Sequence, residues 1–136
     1  MRPEGSCQLC GASIRTLALG VMLGCTGLAS FGAQAGEADV IDVKVRRSAV
    51  GVYDFDVTIR SVDRGWNYYA DAFEVLAPDG AVLGRRMLLH PHETEQPFTR
   101  DLYGVRILPV IERVTVRARH KPTGYDGKPF SVALPK

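Results

Sequence analysis

His90-Pro91-His92 is the segment whose residue types and spacing come closest to a chemical signature. Residues two apart in an extended segment point to the same side. Two neutral imidazoles placed this way can share one Cu(II), Zn(II) or Ni(II) ion. Two imidazoles alone hold a metal weakly, so such a site needs a third donor. His120 is the first candidate, because it ends a strand in phase with Val114, Val116 and Ala118; Met87, Glu93 and Glu95 stand behind it. The competing account is structural: Pro91 and Pro97 stiffen a polar loop in which His90 and His92 satisfy local backbone groups.

A second cluster is aromatic. Trp66, Tyr68 and Tyr69 lie together, with Asp63, Asn67 and Asp71 close by. Flat rings beside polar groups can stack a sugar or a partner's side chain, since they bury a large area at low entropy cost. The alternative is that the three rings fill the protein interior. Arg85, Arg86, Arg100, Arg113, Arg117 and Arg119 could share a basic face. Such charges more often guard a strand against edge-to-edge pairing, with acidic residues on neighbouring strands neutralising them.

Signatures of catalysis are missing. The chain has no G-x-S-x-G elbow, no H-E-x-x-H helix and no phosphate-binding glycine loop. The expectation is a protein that is not an enzyme. The formal charge of +2 at pH 7 creates no field directed at nucleic acid or membrane lipid.

The N-terminal segment differs from the rest. Arg2 and Arg15 precede an uncharged run from Thr16 to Phe31, and Ala33-Gln34-Ala35 follows. This is the pattern of a secretory signal with its small-residue cleavage site, so residues 1–35 are expected to be removed and 36–136 to form the mature domain. A lipoprotein processing site at Leu23-Gly24-Cys25 is the competitor, with Cys25 acylated; Leu23 and Met22 fit that pattern poorly. Cys7, Cys10 and Cys25 all precede Ala35. The mature domain therefore has no thiolate ligand, no thiolate nucleophile and no disulfide, although it is expected in a periplasmic or extracellular compartment where disulfides form. No membrane span is expected after cleavage.

The elements that must position the clusters are strands. Ile41, Val43 and Val45 alternate with polar residues, as do Tyr53, Phe55, Val57 and Ile59, with a short turn at 48–51 between them. Further strands are expected over 72–77, 82–89, 98–107, 114–118 and 130–134. Pro78-Asp79-Gly80 marks a turn, Gly104 a bulge, and 121–128 a long hairpin loop anchored by Tyr125. No stretch of the mature part carries a helical stripe. Seven strands in about a hundred residues match an immunoglobulin-like or fibronectin-like antiparallel β-sandwich, without the Cys-Trp-Cys hallmark of antibody domains. Phe55, Val57, Val75, Val114, Val116 and Val132 are expected in the core.

Three stretches carry a family resemblance: Gly65-Trp66 through Glu74-Val75, Ala77 through Gly84, and Leu89-His90-Pro91-His92 through Thr99-Arg100. In these the chain resembles a group of small exported bacterial β-sandwich proteins with no assigned activity. The resemblance implies export and the β-fold. The leading functional expectation is an exported, non-catalytic module that binds a protein or an envelope component. The alternatives are a periplasmic copper or zinc protein using His90 and His92, and a carbohydrate-binding module using Trp66, Tyr68 and Tyr69.

Overall fold

The computed structural model describes residues 36–136. The expected signal over 1–35, with Cys7, Cys10 and Cys25, lies outside the described residues.

Seven strands form two antiparallel sheets, and the described residues contain no helix. In chain order they are β1 (Ala38–Ala49), β2 (Val52–Ser61), β3 (Tyr69–Leu76), β4 (Val82–Met87), β5 (Phe98–Arg106), β6 (Arg113–Lys121) and β7 (Phe130–Ala133). One sheet runs β1-β2-β5 and the other β4-β3-β6-β7. In the constant-type antibody arrangement the fourth strand shares a sheet with the first, second and fifth; here it pairs with the third.

Period-two alternation builds the interior. Phe55, Val57 and Ile59 of β2 are buried, as are Val114, Val116 and Ala118 of β6. Phe73, Val75 and Phe98 complete the centre. Strand β3 lies between two neighbours and is buried from Ala70 to Leu76 on both faces. Val132 was expected in the core but is half-buried, because β7 is the outer strand of its sheet. In β1 the expected phase of Ile41, Val43 and Val45 is broken. A register shift between Val40 and Asp42 places Ala38, Val40 and Val43 inside and leaves Ile41 half-buried. A bulge adds one residue to one strand and so reverses which side its neighbours face. Gly104 sits at the expected irregularity in β5, with φ of 71° and its N–H donating to Asp54 Oδ1 at 2.9 Å. Strand β4 stops at Met87, short of the expected Leu89.

The registers place the loops at two ends. The β1–β2 turn adjoins the segment after β5, where Ile107 N–H donates to Gly51 O at 2.9 Å. At the opposite end lie the segments 62–68, 88–97 and 122–129, next to the pairs Ala38–Ser61, Ile59–Phe98 and Tyr69–Lys121.

Candidate functional site

The loops at the second end are held by one buried carboxylate. The Asp63 side chain is fully buried. Its Oδ1 accepts from Ser61 Oγ at 2.7 Å and Ala70 N–H at 3.0 Å, and its Oδ2 accepts from His92 N–H at 2.7 Å. Gln96 closes the network. Its Oε1 accepts from Ser61 N–H at 2.9 Å, and its Nε2 donates to His92 O at 2.8 Å and Ser61 Oγ at 3.2 Å. Asp63 thus ties the end of β2, the start of β3 and the 90–97 loop together. On sequence grounds Asp63 was a polar neighbour of a possible sugar site. Its spacing from Ser61, just before Gly65, is the only local hint of a structural role.

His92 sits on this platform. It is 2% exposed and its ring stacks on Phe98 with centroids 3.8 Å apart and planes 10° apart. Neither ring nitrogen has a hydrogen-bond partner, and Nδ1 lies 3.8 Å from Asp63 Oδ2. Burial, then the Arg100 guanidinium, holds the imidazole below its usual titration range. His90 is exposed at the mouth of the loop, with its ring 4.5 Å from that of His92. Both line a cavity of about 110 Å³ that Met87, Arg86 and Arg100 also line.

His120 does not join the pair in a metal cluster. It is fully buried; Nε2 donates to Val62 O at 2.8 Å and Nδ1 accepts from Thr123 Oγ1 at 3.3 Å. Tyr68 packs edge-on against it at 4.6 Å. Both nitrogens are engaged in holding the loops. Among the described residues, no group of three or more His, Cys, Asp and Glu side chains is placed to hold a metal ion. Glu93 lies on the side of Gly65.

The aromatic cluster divides. Tyr68 is half-buried over His120, and Arg64 lies 5.6 Å from its ring centroid. Trp66 is 63% exposed, edge-on to Tyr69 at 6.1 Å, and Lys121 Nζ lies 5.9 Å from the Tyr69 ring centroid. The interior account therefore holds for Tyr68 in part and not for Trp66.

Arg85, Arg117 and Arg119 meet acidic neighbours on the β4-β3-β6-β7 sheet, whereas Arg86 and Arg100 pair with Asp101 and Glu95. Glu74 of β3 is 3% exposed and pairs with Arg85 at 2.7 Å and Arg117 at 2.8 Å. The Tyr125 hydroxyl donates to Glu74 Oε1 at 2.8 Å, and Arg117 lies over the Tyr125 ring at 3.8 Å. Tyr125 is thus the loop anchor that its glycine-rich surroundings suggest. Burial opposes the charge on Glu74, but the Tyr125 hydroxyl and the Arg117 and Arg85 guanidiniums outweigh it and hold the carboxyl below its usual range.

Among curated proteins the chain is similar to one of Halomicrobium mukohataei named "Putative lipoprotein", with 36% identity over 96 residues. That match covers 71% of this chain and 47% of the relative, so the chain spans about half the length of that protein. No family model and no solved structure matches the chain.

Proposed function

We propose that this chain is an exported, non-catalytic interaction domain that meets a protein or envelope component through the loop carrying Trp66. The exposure of Trp66 carries this reading. A large aromatic ring left in water on a loop pinned by Asp63 is a pre-ordered anchor, and tryptophans in such positions dominate the energy of many interfaces. Export is supported by the leader pattern in the sequence and by the name of the relative. No helix of the described residues is long and apolar enough to cross a membrane.

Trp66 is the single tryptophan of the chain, so its fluorescence reports on that loop alone. Envelope fractions from the producing cell should shift its emission to the blue, and Trp66→Ala should abolish co-sedimentation with them. Unchanged co-sedimentation of a folded Trp66→Ala protein would rule out this surface.

The exposed indole also favours a carbohydrate as the occupant. A blue shift with cell-wall oligosaccharides, and none with protease-sensitive envelope components, would select that reading. The copper or zinc reading keeps the adjacent His90 and His92 rings in its favour; His120 is engaged elsewhere, which leaves Met87, on the lining of the same cavity, as the candidate third donor.

A further inference from the structure

Two turns meet at the end of the sandwich opposite Trp66. The β1–β2 turn carries Val50 at its tip, and Gly51 supplies the positive φ of 70° that the turn needs. The segment after β5 makes the second turn, Leu108-Pro109-Val110-Ile111, closed by Ile111 N–H donating to Leu108 O at 3.0 Å. Ile107 N–H donates to Gly51 O and ties the two turns together. Turn tips are ordinarily Gly, Asn, Asp or Ser. Here they are aliphatic: Val50 is 85% exposed, Val110 81% and Leu108 67%. Single exposed apolar residues need no explanation, but contiguous ones mark an interaction surface. Val50, Leu108 and Pro109 line an open cleft of about 260 Å³, and Val50, Pro109 and Ile111 line its neighbour of about 320 Å³. Arg47, Arg106 and Lys136 line the same two clefts and are exposed, and the one side-chain carboxylate among the lining residues is Glu112. Among the described residues no ion pair engages these three cations, whereas Arg85, Arg86, Arg100, Arg117 and Arg119 are all paired. The formal charge of +2 averages over the chain and conceals this local excess.

We propose that this end docks on an anionic lipid bilayer, with Val50, Leu108 and Val110 entering the boundary between headgroups and acyl chains and Arg47, Arg106 and Lys136 meeting the lipid phosphates. Aliphatic tips inside a basic rim match a surface that is negative on top and apolar beneath. A second copy of the chain fits less well. A twofold interface sets the same patch against itself, so these cations would face their own kind with only Glu112 to answer them. A protein partner fits less well too. The binding energy of such interfaces is carried chiefly by Trp, Tyr and Arg in fitted pockets, with Leu and Val under-represented, and here every projecting tip is Leu or Val. The docking is peripheral and needs no spanning segment. It uses the end of the molecule away from Trp66, which leaves that ring free for its own partner.

Vesicle co-sedimentation of the exported protein tests it, with the N-terminus verified by intact mass. Three aliphatic side chains dock reversibly and weakly, in the manner of a single acyl chain, so the lipid is supplied in large excess over that in an envelope-fraction assay. Vesicles of equal parts phosphatidylglycerol and phosphatidylcholine should carry the protein down, and phosphatidylcholine alone should not. Salt at about 1 M should weaken the binding by screening the rim. A Leu108→Ser, Val110→Ser protein, shown to be folded by a cooperative melt, should lose at least about tenfold in vesicle affinity. Arg106→Gln should lose about fivefold, the worth of one basic residue near an anionic surface. Trp66 emission should stay unchanged on the vesicles and Trp66→Ala should bind them as the wild type does, which separates this docking from the Trp66 contact. No binding to the anionic vesicles, equal binding to the neutral ones, or undiminished binding by the folded double variant would overturn the proposal. So would a dimer in size-exclusion chromatography that the same two substitutions break, since the tips would then belong to a second copy.

Discussion

His92 and Glu74 are two buried ionisable groups whose pH signatures have the same sign and fall in different pH ranges. The folded-state titration of His92 lies below its unfolded value of about 6.5. Its unfolded form therefore binds protons first, and the stability tied to its neutral form is complete above that pH and declines as pH falls. Glu74 is also depressed, so the stability from its charged form is present above the ordinary glutamate range and is lost only in stronger acid. Chemical denaturation at stepped pH should show two separate declines. Replacing His92 by Phe, similar in shape and without polar atoms, should remove the first and raise stability by about 1 kcal/mol; an unchanged decline near pH 6 in that variant would move its origin elsewhere. Glu74→Gln breaks a pair whose carboxylate is buried and whose guanidiniums are 43% and 35% exposed. The loss should be about 2 kcal/mol, less than for a wholly buried pair, as read from the denaturation midpoint.

At the scale of elements, the sheets tolerate little at their centres. Val116 of β6 is fully buried and faces Val75 across the β3–β6 register. Val116→Asp should abolish cooperative melting, because an unpaired charge there costs several kcal/mol, about as much as a domain of this size has. Gly127 belongs to a loop and is no less constrained. A Cβ at that position would be driven into the carbonyl of Ala38, while the neighbouring Lys128 N–H donates to Asp39 Oδ1 at 2.7 Å. The two atoms it would meet first, Ala38 O and C, are backbone and cannot rotate away, so Gly127→Ala should lower the melting temperature by several degrees. Gly80→Ala, at a turn with open space around it, loses only its favourable positive φ and should cost less.

Considered whole, the molecule has two differently furnished ends. One carries Trp66, His90 and the network around Asp63. The other joins the β1–β2 turn to the segment after β5, where Val50 and Leu108 stand exposed around Gly51 and Pro109. Strand β1 begins beside the first end and finishes at the second. With a leader cleaved after Ala35, the mature N-terminus is Gly36, at the end that carries Trp66. Intact-mass measurement on the exported protein should return the mass of 36–136, and an acylated Cys25 terminus would replace that expectation with lipid anchoring.

Local patterning by itself determined the seven strands, the turn at Pro78 to Gly80, the bulge at Gly104 and most of the core, because alternation forces a half-buried strand to choose its faces. It also showed that thiol chemistry is absent after residue 35. It did not determine the phase of β1, since a bulge is one inserted residue and leaves the composition unchanged. Nor could it place His120. That residue continues the inward phase of Val114, Val116 and Ala118, and only the fold brings Val62 O and Thr123 Oγ1 to its two nitrogens. The surroundings of His90 and His92 were likewise decided by tertiary structure. Glu93 and Glu95 flank them in sequence, but the joining of two sheet edges sets Arg86 and Arg100 beside them, paired with Asp101 and Glu95.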